Sequence, residues 1–417
     1  MSIIAEPLLT CLDVDRLLKR RTGLWSQLPT GVQGIDCFAS GMEIRHAAPV
    51  AVVDSWLKET FGAAYRVEGN MRAIRLRIAD TLYPVDLIHA TEQATTAGAT
   101  YPLWRDVTYL PDSGFQQRET ADFPPLWEEG PLLVSFHSFK GGVGQTTALM
   151  TYVAACMDER SASNKKILVV DADLEAPGIS FWLDEGNRPQ VSFVQLLEAL
   201  HYPPSGIDPS LDFFADELRK ASLSLSGLQH ELFVLPAALH LGEIQDMPVT
   251  PEHLASNPTN PWELADHLHA LGKRLGADAV FIDLRSGLSE LASPILFDPR
   301  VEHFFVTTVA PQSVQGMTEV LHRLHRFNQR LPAERREEAR PTLILSLLTK
   351  ELRDAACYER ALSQLNAAYP PEEILTSGIQ WQESDFLNPL MSIGSVSEAL
   401  DTVVLSSRLF SSAAEWA

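Results

Sequence analysis

The stretch SFHSFKGGVGQTTALM, Ser135 to Met150, decides how this chain is read. An apolar, β-prone run, LLVSFHSF, leads into it from Leu132. Gly141, Gly142 and Gly144 follow, and TTALMTYVAACMDER from Thr146 has helical spacing with no breaker. Strand, glycine turn and helix in that order are a physical recipe for holding phosphate. Glycine lets the chain turn tightly and approach an anion closely. Backbone N–H groups of the loop and of the open helix start then face that anion. Thr146 is placed to put its hydroxyl on Mg²⁺, and Thr147 to cap the helix or touch the α-phosphate. One position breaks the pattern. Where such loops carry a lysine, this chain has Gln145. An amide donates a hydrogen bond but brings no charge. Charge-assisted bonds are roughly twice as strong as neutral ones. Weaker triphosphate binding and transition-state stabilisation are therefore expected unless another cation compensates.

Beyond the loop come further apolar strand candidates: KKILVVDAD, ELFVLPA, DAVFIDLRSG, HFFVTTVAP and TLILSLLTK. Helical stretches separate them. Near-continuous apolar strands alternating with helices predict an α/β fold with a mostly parallel, doubly wound sheet covered on both faces. Ligands collect at the carboxyl ends of strands in such sheets. Asp171 and Asp173 stand at the end of one candidate strand and Asp283 at the end of another. A phosphate loop needs such carboxylates for metal and water.

KGGVGQTT resembles the deviant phosphate loop, KGGxGK[ST], of the ParA/MinD group of P-loop ATPases, and departs from it at Gln145. A subgroup of those proteins replaces the usual lysine, with arginine, and this chain is similar to them. The likeness spans about residues 132 to 400 and rests on three short motifs in the expected order. It implies ATP and Mg²⁺ as cofactors, with Lys140, Gly141, Gly142, Val143, Gly144, Gln145, Thr146 and Thr147 around the nucleotide. It implies that Lys140 reaches the phosphates of a second subunit in a homodimer formed around ATP. It makes Asp173 the acid that orients the attacking water, and Asp171 a residue that supports magnesium from behind its direct ligands. In DAVFIDLRSG, Asp283 resembles the Walker B aspartate, which holds magnesium through water; Thr146, Asp171 and Asp283 are thus the metal-side residues. Arg285 is a second candidate for the missing charge, and also a residue that could simply pair with a surface acid. The implied role is a slow, magnesium-dependent ATPase working as a nucleotide-driven dimer switch on a protein partner. Relatives with altered loops look like switches for bacterial effectors, including phage-defence systems. A nucleotide-binding scaffold with little hydrolysis and a DNA-partition ATPase are the alternatives. A small-substrate kinase would need an acceptor base and a substrate pocket, and neither is legible.

Residues 1–128 are expected to form a separate small α+β domain ahead of an ATPase domain at 129–417. The smaller part offers a helix, VAVVDSWLKETFG, then two β-prone pieces around a turn at Gly69 and Asn70, and a third in YPVDLIHA. The segment from about 183 to 228 holds a helix, VSFVQLLEAL, and a Pro/Ser-rich loop, and is a candidate moving or partner-facing element. The tail from Ser395 reads as a helix packed on the larger domain.

With 417 residues and 45% hydrophobic composition, the chain can bury a sizeable core. The formal net charge of −21 counts against nucleic acid, leaving only a local basic patch to bind it. Four scattered cysteines with no CxxC pair fit a reduced, cytoplasmic compartment and not a zinc site. No apolar run nears the about eighteen residues that cross a bilayer, and no export signal or membrane contact is expected.

Overall fold

The computed structural model describes residues 8–22, 28–69, 71–89, 123–157, 164–183, 188–224, 230–251, 260, 262–287, 289, 291–329, 331–376 and 416. The chain divides into two compact units. One comprises Met1–Gln116, Gln195–Phe213 and Gln245–Thr250; the other comprises Gln117–Val194, Phe214–Ile244 and Pro251–Ala417.

The smaller unit contains a mixed sheet of five strands: β1 (Val32–Phe38), β2 (Gly41–His46), β3 (Tyr65–Glu68), β4 (Met71–Arg75) and β5 (Leu82–His89). Their order is β1-β2-β5-β4-β3, and only β2 and β5 run parallel. Burial alternates along β2 and the first half of β5, as in a sheet with one face on the core. Helices α1 (Cys11–Arg21) and α2 (Val50–Phe61) supply the other side of that core. Val53, Leu57 and Phe61 of α2 repeat every fourth residue and are buried, so one helical face meets Ile44, Ile74 and Val85. Gly62, at φ +56°, ends α2 in a backbone conformation that a side chain would resist.

The larger unit is built on eight strands: β6 (Leu132–His137), β7 (Lys166–Ala172), β8 (Leu223–Ser224), β9 (Glu231–Leu235), β10 (Ala279–Leu284), β11 (Glu302–Thr307), β12 (Thr342–Leu345) and β13 (Ile374–Thr376). Their order is β13-β12-β11-β6-β10-β7-β9-β8. Seven are parallel, and β8 alone joins antiparallel, on β9. Every residue of β10 is buried, which is what a central parallel strand between helical layers requires. Helix α3 (Gln145–Cys156) leaves β6 through the glycine loop and is buried on almost all sides. Its Tyr152 packs with Phe136, Phe281 and Phe304, and the Trp416 ring joins them. The fold is thus the expected doubly wound parallel sheet with a smaller mixed sheet beside it in sequence.

One detail differs from the sequence expectations. Residues 207–220 are not a loop but a helix, Ile207–Lys220, with Leu211, Phe214, Ala215 and Leu218 buried on one face. Pro209, in the first turn of this helix, does not forbid it, because the N–H that proline lacks would have no partner inside the helix there. The helix expected near VSFVQLLEAL forms as Phe193–His201. The tail expectation lies outside the described residues except for Trp416, whose Nε1 donates to Glu302 at 2.7 Å.

Candidate functional site

The register of the large sheet fixes the site. Asp283 of β10 is paired across the ladder with Asp171 of β7, and on its other side with Phe136 of β6. Both acids therefore stand together at the carboxyl ends of neighbouring strands, next to the start of the glycine loop. Asp171 is fully buried and Asp283 is 2% exposed.

The loop is anchored at several points. The Phe139 ring sits in a notch of the helix Pro311–Asn328, where a Cβ on Gly316 would come within 1.9 Å of it. Val143 is buried, and its carbonyl accepts the Ser346 hydroxyl. Ser138 carbonyl accepts the Gly287 N–H at 2.8 Å, tying the loop start to the turn after β10. Between these anchors the loop opens outward. Gly142 (φ +74°) and Gly144 (φ +84°) have positive φ, and a Cβ built on either meets nothing within 4 Å. Gly141 faces Ser286, whose hydroxyl would lie 3.5 Å from such a Cβ. Lys140 is exposed, and among the described residues no acid pairs with it. Thr147 is half-buried in the first turn of α3.

Thr146 donates its hydroxyl to Asp283 Oδ2 at 2.7 Å. Gly178, in the turn after β7, brings that turn to within 3.5 Å of Thr146 Oγ1, measured from the position of a Cβ. Asp171 Oδ2 accepts two bonds from Ser180, from its N–H at 2.9 Å and its hydroxyl at 2.8 Å. Ser180 Oγ in turn accepts the Ala237 N–H at 2.8 Å. Asp173 is half-buried and caps its own turn, accepting the N–H groups of Glu175 and Ala176 at 3.1 and 3.0 Å. Arg285 is engaged with Glu175, an ion pair that joins the turn after β10 to the turn after β7. Both partners are partly in solvent, so the pair itself contributes little stability.

Gln145 does not face the open side of the loop. Its Nε2 lies 2.7 Å from Asp283 Oδ1, 3.1 Å from the Phe136 carbonyl and 2.5 Å from the Leu284 carbonyl. Its Oε1 accepts the Ser138 hydroxyl at 2.6 Å. The amide closes the space between the ends of β6 and β10. Turning it out would leave buried acceptors unmatched, at about 1–3 kcal/mol each.

The electrostatics follow from burial. Asp171 is pushed up to about 6, chiefly by loss of water. Asp283 is pushed up to about 7, first by burial and then by the neighbouring Asp171. The bonds from Ser180, Thr146 and Gln145 pull the other way but do not restore ordinary acidity, because all three are neutral donors. On the neighbouring strands, burial pushes His137 and His303 down to about 4, so both imidazoles are neutral.

This donor set fits a hard cation. Thr146, Asp283 and Asp171 offer only oxygen, and two buried carboxylates side by side are relieved by a divalent charge between or beside them. Among the described residues no cluster of three or more His, Cys, Asp or Glu could hold a metal alone. Mg²⁺ commonly takes one or two carboxylates and completes its coordination with phosphate oxygens and water. The open glycine cradle beside Thr146 is where those phosphates would lie. Sequence reasoning missed Ser138, Ser180 and the Phe139–Gly316 contact. Only the small residue at 316 hinted at the last.

No family model matches the chain, and no curated protein matches it. Solved structures do. A ParA family ATPase from Chlorobium tepidum TLS is 17% identical, with 68% of this chain and 98% of that one covered, at a TM-score of 0.45. An ATP complex of McdA from Cyanothece is 14% identical over 69% and 96% of the two chains, at 0.43. The MinC:MinD cell division complex of Aquifex aeolicus is 17% identical over 65% and 95%, at 0.38. Likenesses of this size leave the functional reading to the chain's own residues. No helix among the described residues is long and apolar enough to cross a membrane.

Proposed function

We propose that this chain is a magnesium-dependent ATPase of ParA/MinD type, working slowly as a nucleotide-driven dimer switch in the cytoplasm. One observation carries the reading: the open glycine cradle, Thr146 and two uncompensated buried acids meet at the carboxyl end of one parallel sheet. The N–H groups from Gly141 to Thr147 hold the phosphates, and the start of α3 adds its partial positive charge. Bound Mg²⁺ would neutralise charge on the phosphate oxygens. Thr146 and Asp283 would hold the metal, with Asp171, fixed by Ser180, beside Asp283 across the ladder. Asp173 orients a water for attack on the γ-phosphorus; the bond to the bridging oxygen breaks, giving ADP and inorganic phosphate. Lys140, exposed and without an acid partner among the described residues, supplies positive charge to the nucleotide of the other subunit. Release of Arg285 from Glu175 would bring a second positive charge. The dimer state is read by a protein partner.

The inward Gln145 amide favours one further reading, a nucleotide-binding scaffold with almost no hydrolysis. Steady-state phosphate release separates it from the switch. The net charge of −21 counts against a DNA-partition role. The central test is calorimetry of ATP with and without Mg²⁺, followed by light scattering with ATP for the parent and for Lys140→Ala. Micromolar uptake and ATP-dependent pairing that is lost in the variant are expected. Folded protein that takes up no ATP at millimolar ligand would end the proposal. Pairing that survives Lys140→Ala would end the crossing-lysine role alone.

A further inference from the structure

Gln145 occupies the position where a phosphate-binding cation would normally be, and its role here rests on the nucleotide reading of the site. Its surroundings point elsewhere than to phosphate. An amide nitrogen has two hydrogens, and both are directed at Asp283, Phe136 and Leu284 oxygens inside the protein. The amide oxygen is held by Ser138, a residue only 1% exposed. We infer that Gln145 is a positioning residue for the metal-side carboxylate Asp283 and is not a ligand of the phosphates.

Three features carry this. First, the two oxygens of Asp283 are divided between Gln145 on Oδ1 and Thr146 on Oδ2. Should the Thr146 hydroxyl turn to a metal, Gln145 remains to fix the plane of the carboxylate. Second, the exchange is unequal. Swinging the amide to a phosphate would gain a hydrogen bond from a neutral donor and strip donors from a carboxylate and two carbonyls in the interior. Third, an ammonium at this place would neutralise Asp283 and compete with a divalent cation. The amide satisfies the oxygen and leaves its charge for the metal. The residue that looks like a loss at the phosphate loop is then a gain at the metal side.

The experiment is ATP calorimetry on the full chain, once in EDTA and once in Mg²⁺, for the parent, Gln145→Ala and Ser138→Ala. The ratio of the two affinities is the readout, because a purely structural fault would weaken both arms. In Gln145→Ala the Mg²⁺-to-EDTA ratio is expected to fall about 10-fold or more, as when a partner behind a metal ligand is removed. Its affinity in EDTA should stay within about twofold of the parent. Ser138→Ala, which frees the amide to turn and also removes a hydroxyl 3.1 Å from the Lys140 carbonyl, should lower the same ratio by about three- to fivefold. Equal weakening of Gln145→Ala in EDTA and Mg²⁺ would overturn the inference, because a phosphate ligand or a structural fault acts alike in both arms and a positioning residue for the metal side does not. If Gln145→Ala does not fold, an unchanged ratio in Ser138→Ala overturns it instead. A parent that binds ATP in neither buffer removes the nucleotide reading itself, and this role with it.

Discussion

In the smaller unit, Arg16 reaches Asp13 at 2.8 Å and Glu198 at 2.5 Å, and all three side chains are buried. Asp54, nearer the surface, is held below its ordinary range by Arg72. In the larger unit, Asp171 and Asp283 are also buried, yet among the described residues only hydroxyls, an amide and backbone N–H groups meet them. The contrast is local, because Asp298 of the same unit is clasped by Arg300. Asp13, Glu198 and Asp298 are each matched by arginine; among the described residues, the two acids at the strand ends beside the glycine loop are not. Buried charge left without a partner is costly, and folding tolerates it where a cation can later be bound.

Substitutions that remove charge should therefore have opposite signs in the two places. The largest effect is expected for Arg16→Ala, which takes a charged partner away from two buried carboxylates. It should cost about 3–5 kcal/mol, read as early melting of the smaller unit in denaturant. Next comes acid. His137 is buried neutral, with its pKa lowered to about 4 from 6.5, so it contributes stability that is complete above 6.5 and is lost as pH falls toward 4. Asp171 and Asp283 act with the opposite sign over this range, so the comparison to make is with His137→Asn. The stability of the parent relative to that variant should drop by about 3 kcal/mol between pH 7 and pH 4. A pH-independent difference would place a charged or solvated imidazole there. Smallest is Asp283→Asn without nucleotide. Removing an unmatched buried charge should stabilise the larger unit by about 2 kcal/mol, while magnesium-dependent ATP uptake disappears. Destabilisation instead would mean that Asp283 serves architecture as Asp298 does.

Much of the larger unit could be read along the chain. The parallel sheet follows from apolar runs of strand length, and the cradle from glycines in register with a strand and a helix. Asp171 and Asp283 were legible because acids that end buried strands must emerge at one edge of the sheet. The features that resisted reading depend on distant parts of the chain. Gln145 was expected to face phosphate, since its neighbours in sequence suggest nothing else. Its direction is set by carbonyls of Phe136 and Leu284, the latter 139 residues away. Arg285 left a choice between phosphate and a surface acid, and in this structure it stands with Glu175. The helix Ile207–Lys220 was hidden by prolines on its approach, although its buried residues keep helical spacing.

The notch that receives Phe139 has a consequence for how this chain can vary. Since even a methyl group at position 316 would collide with the ring, no alanine scan can probe that helix face innocently. Positions 139 and 316 are locked into a single volume, and a lineage could enlarge one only after shrinking the other. Drift in a helix far along the chain is thereby tethered to the first residue of the cradle.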